Sequence, residues 1–376
     1  MKSSRVTFLL PGAGIVPVGG FKIVYEYANR LSRRGHRVVV VHPATRAIDR
    51  PFVKKLRGTG VFAFRRLTGR FKPTSWFQVD PSVQLMWTPS LDNRYIPDGD
   101  VFIATSWQTA EWSLRYSPQK GRGFYLLQGL ETWDAPEERV YATWKLPLQK
   151  IVIARWLARA VDSRGQKAAY IPNGLDFEVF KITTPIADRD PHSVAMLYHD
   201  YAWKGSRDGL DALLRVKEVV PDLRVTLFGV PARPPNLPEW FGYIQCAPQS
   251  VLLAVYNESA IFVSPSISEG WGLPATEAMM SGCAVAATDI GGHQEFAIHE
   301  RTALLSPASD SVHLAHNIIR LIRDPALRLR IAENGHEFVQ QFTWEKAVTA
   351  LESLLLADPA QDGDINQIEV PTDRFL

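Results

Sequence analysis

With 376 residues, 46% of them hydrophobic and 22% charged, the chain is long and apolar enough for two domains with separate cores, which excludes a disordered or fibrous protein. A net charge of only +3 excludes a generally basic nucleic-acid binder. Cys246 and Cys283 are far apart and lack metal-ligand spacing, so no disulfide framework is expected and the compartment reads as reducing.

The first predicted strand is Val6–Leu10, followed by a glycine-containing loop (Gly12, Gly14, Gly19, Gly20) and a helix over Phe21–Ser32 with apolar spacing at Ile23, Tyr27 and Leu31. Arg37–Val41 is a continuous apolar run, as in a parallel sheet, so the segment reads as a βαβ unit. Its glycine spacing is not the dinucleotide fingerprint, and hydride chemistry gains little support. From Arg50 to Lys72 there are eight basic residues (Arg50, Lys54, Lys55, Arg57, Arg65, Arg66, Arg70, Lys72) interleaved with apolar ones such as Phe52, Leu56, Phe64 and Leu67. That segment reads either as a solvated charged loop or as a surface lying on an anionic membrane.

Further strands are predicted at Val101–Ala104, Gly123–Leu127, Ile151–Ala154 and Ala169–Ile171, with helical stretches between most of them. The segment Phe177–Pro191 reads as a linker. A second alternating series has strands at Ser193–Tyr198, Arg224–Phe228, Ile261–Val263 and Ala284–Ala287, with helices at Arg207–Val219, Ser250–Asn257, Pro274–Ser281 and Asp310–Ile322. Two such series predict an α/β protein of two Rossmann-like, doubly wound domains, residues 1–176 and 177–342, then a closing helix over Thr343–Leu356 and a loosely held tail. No segment approaches the roughly 20 apolar residues of a spanning helix. The first apolar run is too short for a secretion signal, so a cytoplasmic protein, soluble or peripheral, is expected.

The most informative stretch is Ser264–Gly282. Glu269 and Glu277 lie eight apart, with Gly270, Trp271, Gly272, Leu273 and Pro274 between them. Strand, glycine-containing loop and helix in that order aim backbone N–H groups and a positive helix end at an anion such as a phosphate. Glycines admit a ligand close to the backbone, and proline is pre-set for the first helical turn. Glu277, expected in that first turn, could accept from ribose hydroxyls. Glu269, on the loop, could hold hydroxyls of a second sugar beyond the phosphates. A nucleotide-diphosphate-sugar has the shape to meet all three features.

This signature, continued by Ala278-Met279-Met280-Ser281-Gly282-Cys283-Ala284-Val285, resembles that of the retaining glycosyltransferases of family 4, the group 1 enzymes. Ile171–Asp176 with Phe180 resembles the family's inter-domain segment, and Trp203-Lys204-Gly205 its phosphate-binding lysine loop. Thr288–Glu295 resembles its glycine-pair segment, and Phe342–Glu345 the start of its closing helix. The resemblance spans roughly residues 15 to 356 and implies the GT-B architecture, two Rossmann-like domains facing across a cleft, with the C-terminal helix crossing back.

It also implies roles. The first domain would take a glycan or lipid-linked acceptor and the second the nucleotide-sugar donor, with no metal and no other cofactor. Lys204 would meet the diphosphate, Glu269 would orient the donor sugar, and Gly19 and Gly20 would approach the donor or acceptor. Glu295 resembles a further family glutamate. Sugar transfer would proceed with retention, as hexosyl transfer in surface polysaccharide or glycolipid synthesis at the inner face of the cell membrane.

Two departures stand out. Many members carry an arginine five residues before the lysine, where this chain has His199, read as a hydrogen-bond donor to the leaving diphosphate or as a core histidine. Many place a histidine after the fourth strand, where this chain has Thr105-Ser106-Trp107-Gln108. Trp107, with Gln128, Glu131 and Trp133 after the next strand, reads as an acceptor site, the tryptophans equally as core; these segments look most like a rhamnosyltransferase-like branch. A nucleotide-sugar epimerase and a non-catalytic nucleotide-sugar-binding protein are the competing readings.

Overall fold

The computed structural model describes residues 3–45, 62–133 and 135–357. The chain forms two compact units, one of Met1–Asn173 with the segment that begins at Glu345, the other of Gly174–Trp344.

The first unit is built on seven parallel strands: β1 (Arg5–Leu9), β2 (Arg37–Pro43), β3 (Gln84–Thr88), β4 (Val101–Ala104), β5 (Arg122–Leu127), β6 (Gln149–Val152) and β7 (Ala168–Tyr170). Their order is β3-β2-β1-β4-β5-β6-β7. Phe8, Val40, Ile103, Leu126 and Ile151 are buried, as expected of strands covered on both faces. The helices are α1 (Gly19–Arg33), α2 (Trp107–Ser113), α3 (Glu137–Trp144) and α4 (Arg155–Asp162). Gly19 and Gly20, expected in a loop, form the first turn of α1. Sheet order reverses between β1 and β4, and at such a reversal a doubly wound sheet opens a ligand crevice beyond its strand ends.

The second unit repeats the plan with β8 (Ser193–Leu197), β9 (Arg224–Gly229), β10 (Phe241–Gln245), β11 (Ile261–Ser264), β12 (Ala284–Thr288) and β13 (Leu304–Ser306), all parallel. Their order, β10-β9-β8-β11-β12-β13, reverses between β8 and β11. Its helices are α5 (Ser206–Val219), α6 (Gln249–Glu258), α7 (Leu273–Met280), α8 (Ser311–Arg323) and α9 (Pro325–Val339). Strand residues Val194, Leu227, Ile261 and Val263 pack in one core with Leu314, Ile318 and Ile331 of the helices.

Both sheets therefore bear out the doubly wound α/β class. Strands β3, β10 and β13, which the sequence pattern did not predict, all lie at sheet edges. An edge strand is less completely covered and need not be continuously apolar. Helix α9 was missed although Asp324 accepts from the Leu327 N–H at its start and Pro325 opens it. The segment 177–191, read as a linker, is packed down: Arg189 is buried and donates to the carbonyls of Thr184, Tyr256, Ser259 and Ser281. Residues 62–68 are helical, whereas Arg50, Phe52, Lys54, Lys55, Leu56 and Arg57 lie outside the described residues, as does the tail from residue 358.

The closing helix α10 (Trp344–Leu356) packs with the first unit through both ends. Along its first two and a half turns Arg34 donates to Glu345 (2.6 Å), Thr349 (2.8 Å) and Glu352 (2.5 Å), while His36 Nε2 lies 2.8 Å from Glu352 Oε1. At its C-terminus Arg122 donates to the carbonyls of Leu354, Leu355 and Ala357, groups a helix end leaves unpaired and that carry partial negative charge. Buried Val348, Leu351, Leu354 and Leu355 each contribute about 1.5–3 kcal/mol, so apolar burial outweighs the ionic contacts and the latter set register.

Burial would raise the Glu352 carboxyl, but bonds from His36 and Arg34 outweigh it and hold the group below its ordinary value. A depressed carboxyl stabilises the fold above its unfolded pKa of about 4.3 and ceases to do so as pH falls through the lower folded value. Glu352→Gln should cost about 1–3 kcal/mol in urea unfolding at pH 7, and the difference from wild type should shrink below about pH 4. An equal difference at both pH values would rule out the charge as its source.

Candidate functional site

The reversal between β8 and β11 brings two loops side by side. After β8, His199 leads into a single 3-10 turn, Ala202–Lys204, closed by Gly205 at φ 60°, before α5 begins. After β11, residues Pro265–Glu269 run into the turn that opens α7. The loops are stitched by backbone: the amides of Ile267 and Ser268 both donate to the Trp203 carbonyl (2.8 and 3.2 Å). A Cβ on Gly205 would sit 1.9 Å from the Pro265 carbonyl oxygen, so glycine is required both for the left-handed backbone and for the approach.

This clamp sets the central contact of the site. Lys204 Nζ donates to Glu269 Oε1 at 2.7 Å, and Ser266 Oγ donates to the same oxygen at 2.9 Å. The side chains are 22% and 14% exposed, enough to meet a ligand and little enough that water screens them weakly. His199 lies at the same strand end. Its backbone amide donates to Ser206 Oγ (2.9 Å), and its Nδ1 accepts from the Tyr201 amide (3.1 Å). Burial, then the Lys204 charge, pull its pKa down against the opposing Asp200 and Glu269, so the ring is neutral at pH 7.

Helix α7 starts one residue earlier than expected, with Gly272 as its cap at φ 110°, Leu273 first and Pro274 second. Glu277 therefore falls in the second turn, not the first, and the first turn itself carries no acidic side chain to offset the positive end of the helix. Glu277 is buried and accepts from the Tyr256 hydroxyl at 3.2 Å. Trp271 is not a ring waiting for a ligand. Only 2% exposed, it packs edge-on against Phe342 at 5.1 Å and against Phe296, so its backbone is all it presents beside Gly270 and Leu273.

Under Gly272 lies His293, buried, bonded to Ser264 Oγ (3.1 Å) and the Thr288 carbonyl (2.7 Å), and kept neutral by burial. Sequence reasoning singled out neither His293 nor Ser266 nor Tyr256. Only His293 had a signal, its place in the Gly291-Gly292-His293 segment. Glu295, considered as a surface helix cap, is 5% exposed.

In the first unit the predicted acceptor residues meet in two pairs at the carboxyl ends of β1, β4 and β5. Gln128 Nε2 donates to the Gly20 carbonyl (3.3 Å), bringing the loop after β5 to the start of α1. Glu131, at φ 60°, accepts from the Trp107 amide at 2.7 Å, placing a carboxylate at the N-terminus of α2. Trp107 is 6% exposed and lies beneath Arg139, which forks onto Glu111 (2.7 and 2.8 Å), so its ring is a packing element. Trp133 is half exposed at this end of the sheet. Thr105 Oγ1 donates to the Leu9 carbonyl (2.7 Å), tying β4 to β1 at the reversal.

Residues 202–338, which contain Lys204, Glu269 and Glu277, match the family described as "Glycosyl transferases group 1". The match lies wholly within the second unit. The chain is 23% identical over 368 residues to phosphatidyl-myo-inositol mannosyltransferase of Mycobacterium leprae, covering 90% of this chain and 93% of that one. It is 36% identical over 97 residues to the lipopolysaccharide core biosynthesis mannosyltransferase LpcC of Rhizobium leguminosarum, covering 26% of this chain and 28% of that one. Among solved structures, sucrose-phosphate synthase from Thermosynechococcus elongatus aligns with a TM-score of 0.68 at 19% identity, over 93% of this chain and 98% of that one. Anabaena HepE in complex with UDP-glucose aligns at 0.69 and 15% identity, over 94% and 99%. The two Rossmann-like units thus share the fold of these structures, GT-B, and Lys204 and Glu269 lie inside the segment that matches the family.

Gly205→Ala should destabilise the second unit by about 1–3 kcal/mol in urea unfolding, because the added carbon meets backbone that cannot retreat without breaking the clamp. Gly12→Ala, where a Cβ meets nothing within 4 Å, should stay within about 0.5 kcal/mol of wild type. Equal effects at the two positions would refute the close-approach argument.

Proposed function

We propose that the chain is a retaining hexosyltransferase of glycosyltransferase family 4, moving a sugar from a nucleotide-diphosphate-sugar to a lipid-linked or glycan acceptor in surface polysaccharide or glycolipid synthesis. The observation that carries this reading is the Lys204–Glu269 contact at the β8–β11 reversal. A diphosphate arriving there competes for Lys204 Nζ. The carboxylate so released, still held by Ser266, turns its second oxygen to sugar hydroxyls. Binding thus exchanges an internal ion pair for two ligand contacts, and neither charge is left buried alone.

As the bond from anomeric carbon to phosphate breaks, negative charge grows on the departing diphosphate. Lys204 and the positive end of α7 are placed to stabilise it, in an arrangement that calls for no resident metal ion. The leaving oxygen takes the acceptor hydroxyl proton as that hydroxyl enters on the same face, so configuration is retained. Glu277, braced by Tyr256, accepts from the ribose. The names of the relatives, mannosyltransferases acting on an inositol lipid and in a lipopolysaccharide core, favour a mannosyl donor over a rhamnosyl one and a lipid-linked acceptor. A UDP-glucose complex among the structural neighbours supports a nucleotide-sugar donor.

The acceptor falls to the first unit, with Gln128, Glu131 and the exposed ring of Trp133. The same unit supplies the contact with an anionic membrane face. Phe64 and Leu67 are 51% and 87% exposed on the helical run 62–68, beside Arg65, Arg66 and Arg70.

A panel of nucleotide sugars screened by shift in melting temperature should identify the donor, and the anomeric configuration of the product should match that of the donor by NMR. Lys204→Ala should lower kcat about 10²- to 10³-fold with little change in donor affinity, and Glu277→Ala should weaken nucleotide binding at least tenfold. Unchanged activity in both variants would remove the site, and conversion of the donor alone to its epimer would replace transfer by isomerisation. Replacing Arg65, Arg66 and Arg70 by Gln should cut co-sedimentation with phosphatidylglycerol-containing vesicles at least tenfold, each arginine contributing about 1 kcal/mol. Undiminished sedimentation would dispose of this surface.

A further inference from the structure

His199, Tyr201 and Trp203 form a pile of three rings on the turn that carries Lys204. The His199 and Tyr201 centroids are 4.3 Å apart at 29°, and those of Tyr201 and Trp203 are 4.3 Å apart at 19°. Tyr201 has its edge in solvent, 52% exposed, so burial of that residue does not explain the stack. What the stack does is fix the plane of the imidazole against a turn already clamped through the Trp203 carbonyl.

The proton position is fixed as well. The Tyr201 amide donates to His199 Nδ1, and an N–H can donate only to a ring nitrogen that carries no hydrogen. In the neutral ring the proton is therefore on Nε2. Nδ1 is the one site left to protonate, and adding a proton there breaks the bond from Tyr201. The charged groups that reach the ring are Lys204 on its own turn, Asp200 beside it and Glu269 on the neighbouring loop. Lys204 opposes a second positive charge, while the two carboxylates favour it.

Resting on the diphosphate reading above, we propose that His199 donates an Nε2–H hydrogen bond to the leaving diphosphate as an uncharged group, its tautomer set by the Tyr201 amide and its orientation by the Tyr201–Trp203 stack. One lysine and one oriented neutral donor then serve the departing charge. A fixed N–H dipole in a partly buried site needs little reorganisation as that charge develops, so it acts without a second cation.

Two side chains separate the ring's halves. Gln can present an N–H at the reach of Nε2, whereas Asn reaches only as far as Nδ1 and can keep the Tyr201 bond without the donor. His199→Gln should hold kcat within about threefold of wild type, and His199→Asn and His199→Ala should each lose 10- to 100-fold. Nucleoside diphosphate binding by calorimetry, run on the same samples, reports that all three fold. Histidine ¹⁵N spectra at pH 7 should show His199 neutral and protonated on Nε2.

Equal kcat in the Gln and Asn variants, or a proton on Nδ1, would overturn the assignment while leaving the diphosphate reading intact, provided wild type binds the nucleoside diphosphate and Lys204→Ala impairs turnover. Failure of wild type to bind any nucleoside diphosphate would instead overturn the diphosphate reading itself, and this inference with it.

Discussion

The seam between the turn Trp203–Gly205 and the loop Pro265–Ser268 is the constraint from which the rest of the site follows. Two amides from one loop converge on one carbonyl of the other, and Gly205 lets the backbones approach closer than any side chain would permit. Because β8 and β11 are neighbours at the reversal of the sheet, these loops cannot drift apart without unpairing the strands. A lysine and a carboxylate distant in sequence therefore meet with a separation set by backbone rather than by flexible side chains. Preorganisation of this kind reduces the entropy lost when a ligand binds and the reorganisation needed as charge develops.

Behind the seam sits a layer of uncharged groups that holds shape. His293 ties Ser264 to Thr288, linking the ends of β11 and β12 beneath the glycine that opens α7. Trp271 plugs the turn from below against Phe296 and Phe342. Arg189 extends the same logic to the approach segment. Burial lowers its pKa, yet its donors are distributed over carbonyls and Asn257 Oδ1, so the desolvated guanidinium is fully engaged. Cys283 lies against this arginine, and burial pushes its thiol up to about 12, which makes it an inert core residue and not a nucleophile.

The first unit shows the same economy with different parts. Glu131 occupies a left-handed backbone conformation that costs of order 1–3 kcal/mol for a non-glycine residue, and its carboxylate is spent on the first amide of α2. Trp107, which sequence reasoning could place either in a site or in a core, falls in the core beneath Arg139. Trp133 goes the other way and stays half exposed. Composition treats the two rings alike, and only packing separates them.

What the sequence determined by itself was the class of fold and the loop on which the candidate site is read. Central parallel strands are covered on both faces, so their uninterrupted apolar runs were legible, and the glycines and proline around Glu269 marked the strand-to-helix turn that the structure shows. Lost to that reading were the edge strands β3, β10 and β13, whose fewer neighbours impose a weaker pattern. Tertiary structure alone decided that Lys204 and Glu269 touch, that Glu277 leans on Tyr256, that Trp271 turns inward, and that the Tyr201 amide fixes the tautomer of His199. Those outcomes depend on distances between segments remote along the chain, which strand order and close backbone approach set and which no local periodicity records.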